Sequence, residues 1–148
     1  MENENIKETT NKFLDGTWNK STFDDKGNQL SYERSDGYWH KKVYDNNGNE
    51  LSFEDSNGTW YKRVYDNKGN KLNYEDSYGY WDKRVYDNKG NELSFENSNG
   101  YWSKSTYYSN GNQLSFEDSN GYWNKRVLDD NGKELSYESS DDIKRNQS

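Results

Sequence analysis

The chain has 148 residues, about the size of one domain, with 27% hydrophobic residues, 32% charged residues and a formal net charge of −7. So polar a composition would suggest disorder, but 17% aromatic residues, including six Trp and 14 Tyr, argue against it. Without Cys there is no disulfide or thiolate metal site. The acidic balance disfavours direct nucleic-acid binding, and no apolar run is long enough for a signal segment or a membrane span.

Residues 1–15 precede the first regular feature. Ile6, Phe13 and Leu14 stand at roughly helical spacing, which predicts a short N-terminal cap. From Gly16 the chain becomes periodic. Trp18, Trp39, Trp60, Trp81, Trp102 and Trp123 are each 21 residues apart. All 12 glycines fall on two further rows of the same period, two residues before and nine after each Trp. Residues 16–141 are therefore six copies of one unit with no insertion or deletion between them. Such an array buries its apolar surface by stacking neighbours.

Within a copy, two β-rich runs alternate with two Gly turns. In the fourth copy these are Tyr80 to Tyr86 and Glu92 to Glu96. The turn between them, Asp87-Asn88-Lys89-Gly90-Asn91, fits a three-residue hairpin loop closed by a left-handed Gly. Asp55-Ser-Asn-Gly58 and its copies supply a second Gly turn between units. No helix fits inside a unit. The predicted fold is all-β: six 21-residue β-hairpin repeats forming an elongated, twisted antiparallel sheet, either a single layer or a coiled solenoid-like array. Residues 142–148 are expected to be a frayed C-terminal tail.

Strict alternation outward from the turn would pair Asp45 with Asn49, Val43 with Leu51, Lys41 with Phe53 and Trp39 with Asp55. One face would then carry Trp39, Lys41, Val43, Leu51 and Phe53. The other would carry Tyr38, His40, Lys42, Tyr44, Glu50, Ser52 and Glu54. Lys41 and its five equivalents sit on the Trp face, where a cation–π contact would explain them.

The pattern Gly-x-Trp, then Tyr-Asp-x-x-Gly-Asn (Tyr65 to Asn70), then Leu-x-Phe/Tyr-Glu resembles two repeat classes over Gly16 to about Ser139. One is the MORN-type β-hairpin repeat in its bacterial variants. The other is the YD repeat of RHS-type proteins. The first resemblance implies a scaffold for proteins or lipids, the second a part of a large shell or adhesin. Neither implies catalysis.

The residues themselves point the same way. His40 is the only histidine, and it fills the most variable slot of the unit, occupied elsewhere by Asn19, Tyr61, Asp82, Ser103 and Asn124. This slot is read as exposed and tolerant. The row Glu33, Glu54, Glu75, Glu96, Glu117 and Glu138 is read as cross-strand partners of Lys42, Arg63, Arg84 and Arg126 rather than as hydrolytic carboxylates. Asp45-Asn-Asn-Gly-Asn49 is read as turn chemistry, because an EF-hand would need a Glu at position 12. No catalytic residue, metal or cofactor is expected.

The candidate binding residues are Tyr38, Lys42, Tyr44, Arg63, Tyr65, Tyr80, Arg84, Tyr86, Tyr101, Tyr122 and Arg126, because Tyr and Arg are favoured at protein interfaces. The expected function is non-enzymatic protein binding in the cytoplasm of a bacterial host. A narrower form is a phage or mobile-element inhibitor of a nucleic-acid-handling defence complex. The alternative is a carbohydrate or cell-wall binding module. The expected partner is a protein, with a homodimer through the aromatic face as a further expectation, and no membrane is involved. One asymmetry stays open: copies 1 and 5 share Ser-Thr and a Gln where the others have a basic residue with Val and another residue before Leu. Block duplication and a distinct patch on copies 2 to 4 both account for it.

Overall fold

The computed structural model describes residues 6–145. The chain divides into two compact units, Met1–Gly79 and Tyr80–Ser148. The first holds β1 (Lys7–Lys12), β2 (Trp18–Phe23), β3 (Gln29–Arg34), β4 (Trp39–Tyr44), β5 (Glu50–Asp55), β6 (Trp60–Tyr65) and β7 (Lys71–Asp76). Each strand pairs antiparallel with the next. The second unit holds β8 (Trp81–Tyr86), β9 (Glu92–Asn97), β10 (Trp102–Tyr107), β11 (Gln113–Asp118), β12 (Trp123–Leu128), β13 (Glu134–Ser139) and α1 (Ser140–Arg145). Its strands also pair antiparallel in chain order. The described residues are thus all-β apart from α1, with thirteen strands in open, single-layer sheet.

Both ends differ from expectation. Residues 7–12 form a strand, not a helical cap: Lys7 to Lys12 lie opposite Phe23 to Trp18. The segment 13–17 repeats the inter-unit turn, with Gly16 N–H donating to Phe13 C=O and Phe13 N–H to Thr17 C=O. A turn of that kind returns the chain antiparallel onto β2, and ladder bonding outweighs three loosely spaced apolar residues. At the other end, α1 reaches Arg145 inside the segment expected to fray. Ser139 caps it, its Oγ accepting the Asp142 N–H at 3.4 Å and donating to Asp142 Oδ2 at 2.8 Å. The remainder of the expected tail, residues 146–148, lies outside the described residues, as do residues 1–5 of the expected cap.

Both Gly turns are as expected. In the hairpin loop Gly48 has φ +85, its N–H donates to Asp45 C=O, and Asp45 N–H donates to Asn49 C=O. The inter-unit turn repeats this geometry with Gly58 at φ +82.

The register beyond the hairpin loop is not as expected. Val43 lies opposite Ser52 and Tyr44 opposite Glu50, so Leu51 is an unpaired bulge residue. Leu30, Leu72, Leu93, Leu114 and Leu135 are skipped in the same way. The bulge breaks strict alternation and re-sorts the faces. Phe53 leaves the Trp face and joins His40, Lys42, Tyr44 and Glu50. Ser52 and Glu54 take its place beside Trp39, Lys41 and Val43.

The bulge also sets how copies follow one another. Lys41 lies opposite Glu54, and Glu54 opposite Trp60, two residues short of the equivalent Lys62. The stagger is therefore two residues per copy, roughly 7 Å along the strand. Because two is even, every copy keeps Trp on the same face. Pairing without the bulge would give a stagger of one and send Trp60 to the opposite face from Trp39.

Among the described residues no apolar side chain is buried. The buried residues are Ser21, Asp82, Ser103, Asn124, Ser139 and Ser140. Stability therefore rests on the backbone ladders and on large rings that shield one another.

Candidate interaction surface

All 11 candidate residues are half-buried, and strand alternation places them on one face together with the Phe/Tyr row. In the first unit this face is a ladder of rings. Tyr32 stacks on His40 at 5.3 Å, His40 meets Phe53 at 5.6 Å, Phe53 stacks on Tyr61 at 5.3 Å, and Tyr61 stacks on Tyr74 at 6.0 Å. Tyr38 flanks the ladder, 6.4 Å from Tyr32 and 6.1 Å from His40. In the second unit Tyr101 packs on Phe95 and Tyr122 on Phe116.

The charges on this face are used internally. Glu50 accepts from Lys42 at 2.9 Å, from Arg63 at 3.3 Å and from the Tyr61 hydroxyl. The Arg63 guanidinium lies 4.3 Å from the Tyr61 ring centre. Burial works to raise the Glu50 carboxyl, but the Tyr61 and Lys42 hydrogen bonds and the two cations outweigh it and hold it below the usual range. The Tyr61 phenol is pushed up to about 12, by burial first and then by its hydrogen bond to Glu50. In the second unit Arg84 bridges Asp82 at 3.3 Å and Glu92 at 3.1 Å and lies over Phe95. Arg126 approaches Glu134 at 3.7 Å.

The variable slot is not the exposed, tolerant site expected from sequence. His40 and Tyr61 are rungs of the ladder, while Asp82, Ser103 and Asn124 are buried at 3%, 9% and 8% exposure. The bulge puts this slot on the ring face, where its size has to match its neighbours. The kinship of copies 1 and 5 also has a structural content. Gln29 donates to Ser21 at 3.1 Å and Gln113 to Ser105 at 3.3 Å, where copies 2, 4 and 6 have a cation–Glu contact. Thr22 bonds Ser31 and Thr106 bonds Ser115 across the strands, at 2.7 and 2.6 Å. The shared residues are a matched set, exchanged together.

The opposite face is the open one. Lys41, Lys62, Lys83 and Lys104 sit 5.1 to 5.5 Å from the ring centres of Trp39, Trp60, Trp81 and Trp102, as the cation–π reading expects. Their ion-pair partners are Glu54, Glu75, Glu96 and Glu117, at 3.6 to 4.0 Å. The Glu row thus pairs with this invariant Lys row, not with Lys42, Arg63, Arg84 and Arg126. The reason is again the bulge, which turns Glu54 toward Lys41. Val43, Val64, Val85 and Val127 are 45–53% exposed, and Trp60 and Trp102 are 37% and 38% exposed. In the first unit a groove of about 510 Å³ runs over this face, lined by Val43, Ser52, Glu54, Trp60 and Lys62 among others.

Comparison with known proteins bears on the fold. No family model matches the chain, and no curated protein matches it. Solved structures do. The crystal structure of TcdB2-TccC3-Cdc42 matches over 82% of this chain at 18% identity with a TM-score of 0.52. TcdB2-TccC3 without its hypervariable C-terminal region gives the same values, and TcdB2-TccC3 matches over 76% at 17% identity with a TM-score of 0.50. The chain spans only 6–7% of those chains. At such identity the likeness is one of fold, tandem β-hairpins in series. It fits the YD/RHS option of the sequence resemblance and lends nothing to the MORN option.

One row escaped sequence reasoning. Ser35, Ser56, Ser77, Ser98, Ser119 and Ser140 share the 21-residue period. Each Ser Oγ accepts the N–H of a Trp 17 residues earlier, as from Trp39 to Ser56 at 3.3 Å. The Ser56 N–H returns a bond to Trp39 C=O at 2.9 Å. The period itself was the signal. The loop Asp behaves as expected for turn chemistry: Asp45 accepts from the Asn47 and Asn49 amides and from Asn49 Nδ2, at 2.8–2.9 Å.

Proposed function

We propose that this chain is a non-enzymatic protein-interaction module that docks through its Trp/Lys/Val/Glu face. The observation carrying this reading is the contrast between faces. The Tyr/Arg side chains are half-buried, and Lys42, Arg63 and Arg84 are paired with acidic groups on their own face, whereas Val43, Val64 and Val85 are about half exposed. Half-exposed apolar side chains in line on one sheet face offer area that a partner would take out of water. The neighbouring folds belong to TcdB2-TccC3 assemblies, one solved with Cdc42, in keeping with a repeat that works by contact. No helix among the described residues is long and apolar enough to cross a membrane. The narrower reading, a cytoplasmic inhibitor of a nucleic-acid-handling complex encoded by a phage or mobile element, is motivated by the net charge of −7.

Capture from bacterial cytosol with immobilised protein tests this reading. Val43→Ser with Val64→Ser should abolish capture, while Tyr44→Phe with Tyr65→Phe should leave it intact. The opposite pattern would move the docking surface to the Tyr face. The narrower reading requires that the captured protein bind nucleic acid and that capture weaken with salt. A carbohydrate-binding reading is favoured by one observation, the groove pairing Trp60 with Glu54 and Lys62. It predicts Trp fluorescence quenching by a polysaccharide.

A further inference from the structure

We infer that the first copy carries a sugar-binding site at its turn end, a cavity that takes a neutral pyranose ring against Tyr32. The inference goes beyond the docking surface and does not depend on it.

The site lies where the ring ladder stops. Tyr32 stacks on His40 through one face, and its other face meets no second stacked ring among the described residues. In the next two copies the equivalent ring is crowded from its own hairpin. His40 and Tyr61 lie against Phe53 and Tyr74, and Lys42 and Arg63 stand 5.9 Å from the same two ring centres. In the first copy those two places are taken by Asn19 and Ser21, which are too small to cover Tyr32. A cavity of about 330 Å³ opens there, lined by Phe13, Thr17, Asn19, Tyr32, Arg34 and Asp36 among others.

Phe13 is peculiar to this end of the array. The five later positions of its row, from Arg34 to Asp118, are all polar. Its ring is 53% exposed in the turn, so it adds little to the fold and gives the cavity a second aromatic wall.

The polar groups name the ligand. Arg34 donates to both carboxylate oxygens of Asp36, through Nε at 3.1 Å, so the rim carries no net charge. An anion would meet Asp36, and a nucleotide would bring phosphate against a chain of net charge −7. Asn19 Oδ1 accepts from Asn11 at 3.0 Å, which leaves Asn19 Nδ2 to donate. The site thus offers two aromatic walls, an amide donor and a carboxylate acceptor. A pyranose has the matching pattern, with CH groups on its flat faces and hydroxyls at its edge that both donate and accept. The volume falls within the range of small-molecule sites, about 300–1,000 Å³. The rim is open, with Arg34 and Asp36 side chains 48% and 54% exposed.

Titration of the full chain, followed by amide NMR, tests the inference. The probes are the methyl glycosides of glucose, galactose and mannose, and N-acetylglucosamine, with adenosine as the aromatic control. At least one sugar should give saturable shifts at Asn19, Ser35 and Asp36. Asn19→Tyr, the residue that copy 3 holds as Tyr61, fills the cavity and should abolish those shifts. Phe13→Asp, the residue at the equivalent Asp55, removes one wall and should weaken binding about tenfold. Because both residues already serve in other copies, both variants should keep the wild-type circular dichroism. The absence of saturable shifts with all four sugars overturns the inference, as does binding that survives in Asn19→Tyr. Shifts centred on Glu54, Trp60 and Lys62 instead overturn the site, and a response to adenosine alone overturns the ligand class. Val43→Ser with Val64→Ser should leave the sugar shifts unchanged, so this inference and the docking reading fail separately.

Discussion

A carboxylate that accepts three N–H bonds from its own loop is locked into its charged form. In Asp45, Asp66 and Asp87 the side-chain amide of the following Asn, together with loop amides, holds the carboxyl below its ordinary value. A lowered folded value means that the stabilisation is complete above the unfolded value near 3.9 and is lost as pH falls through the folded one. Asp66→Asn should therefore lower the melting temperature at neutral pH, and its deficit against wild type should shrink below about pH 4. A deficit independent of pH would remove the carboxylate from the account. Tyr61 offers a second residue-scale check. Glu50→Gln removes the anion that its hydroxyl contacts, so phenolate absorbance should report a Tyr61 value lower than about 12. It should stay above an ordinary tyrosine, because burial is the larger cause. Gly69 holds φ +86 with open space around the position of a Cβ. Gly69→Val should then cost about 1–2 kcal/mol in urea unfolding, through backbone strain alone.

At the scale of the element, two devices close each hairpin, and only one was legible. The Gly turns could be read directly, since Gly in a five-residue polar loop between β-rich runs has few other meanings. The Leu bulge could not. Leu51 is apolar and sits in a strand, so period-two reasoning assigned it a place in the ladder. Nothing local in Glu-Leu-Ser-Phe states that one residue will be skipped. That single omission moved Phe53, Ser52 and Glu54 to the wrong faces and made the Tyr/Arg side chains look freer than they are. The chain end was missed for a related reason: Lys-Glu-Thr-Thr-Asn-Lys carries no strong strand signal and becomes a strand because β2 offers it an open edge. The Ser row can be tested on its own. Ser77→Ala leaves the Trp60 N–H without its acceptor at 3.3 Å and should cost about 1 kcal/mol in urea unfolding. No loss of stability would make the contact incidental.

For the whole molecule, the absence of a buried apolar core among the described residues changes what counts as a stabilising change. Single-site losses should be modest and spread along the array, because each copy leans mainly on its neighbours. Removal of one full copy, residues 37–57, should leave a folded protein with the same circular dichroism shape and a lower melting temperature. Deletion of Arg63 alone, a paired strand residue, should do more damage, with loss of cooperative unfolding, because every later copy would meet its neighbour with the wrong face. Comparable behaviour of the two deletions would refute the stagger argument. The stagger also bears on inheritance. A gene for such an array can lengthen or shorten by whole copies through slippage between its near-identical segments, and each product still folds. Gain or loss of one codon for a paired strand residue inverts every copy downstream. Selection against that inversion explains why six copies have diverged in their variable slot yet keep a length of 21 residues throughout.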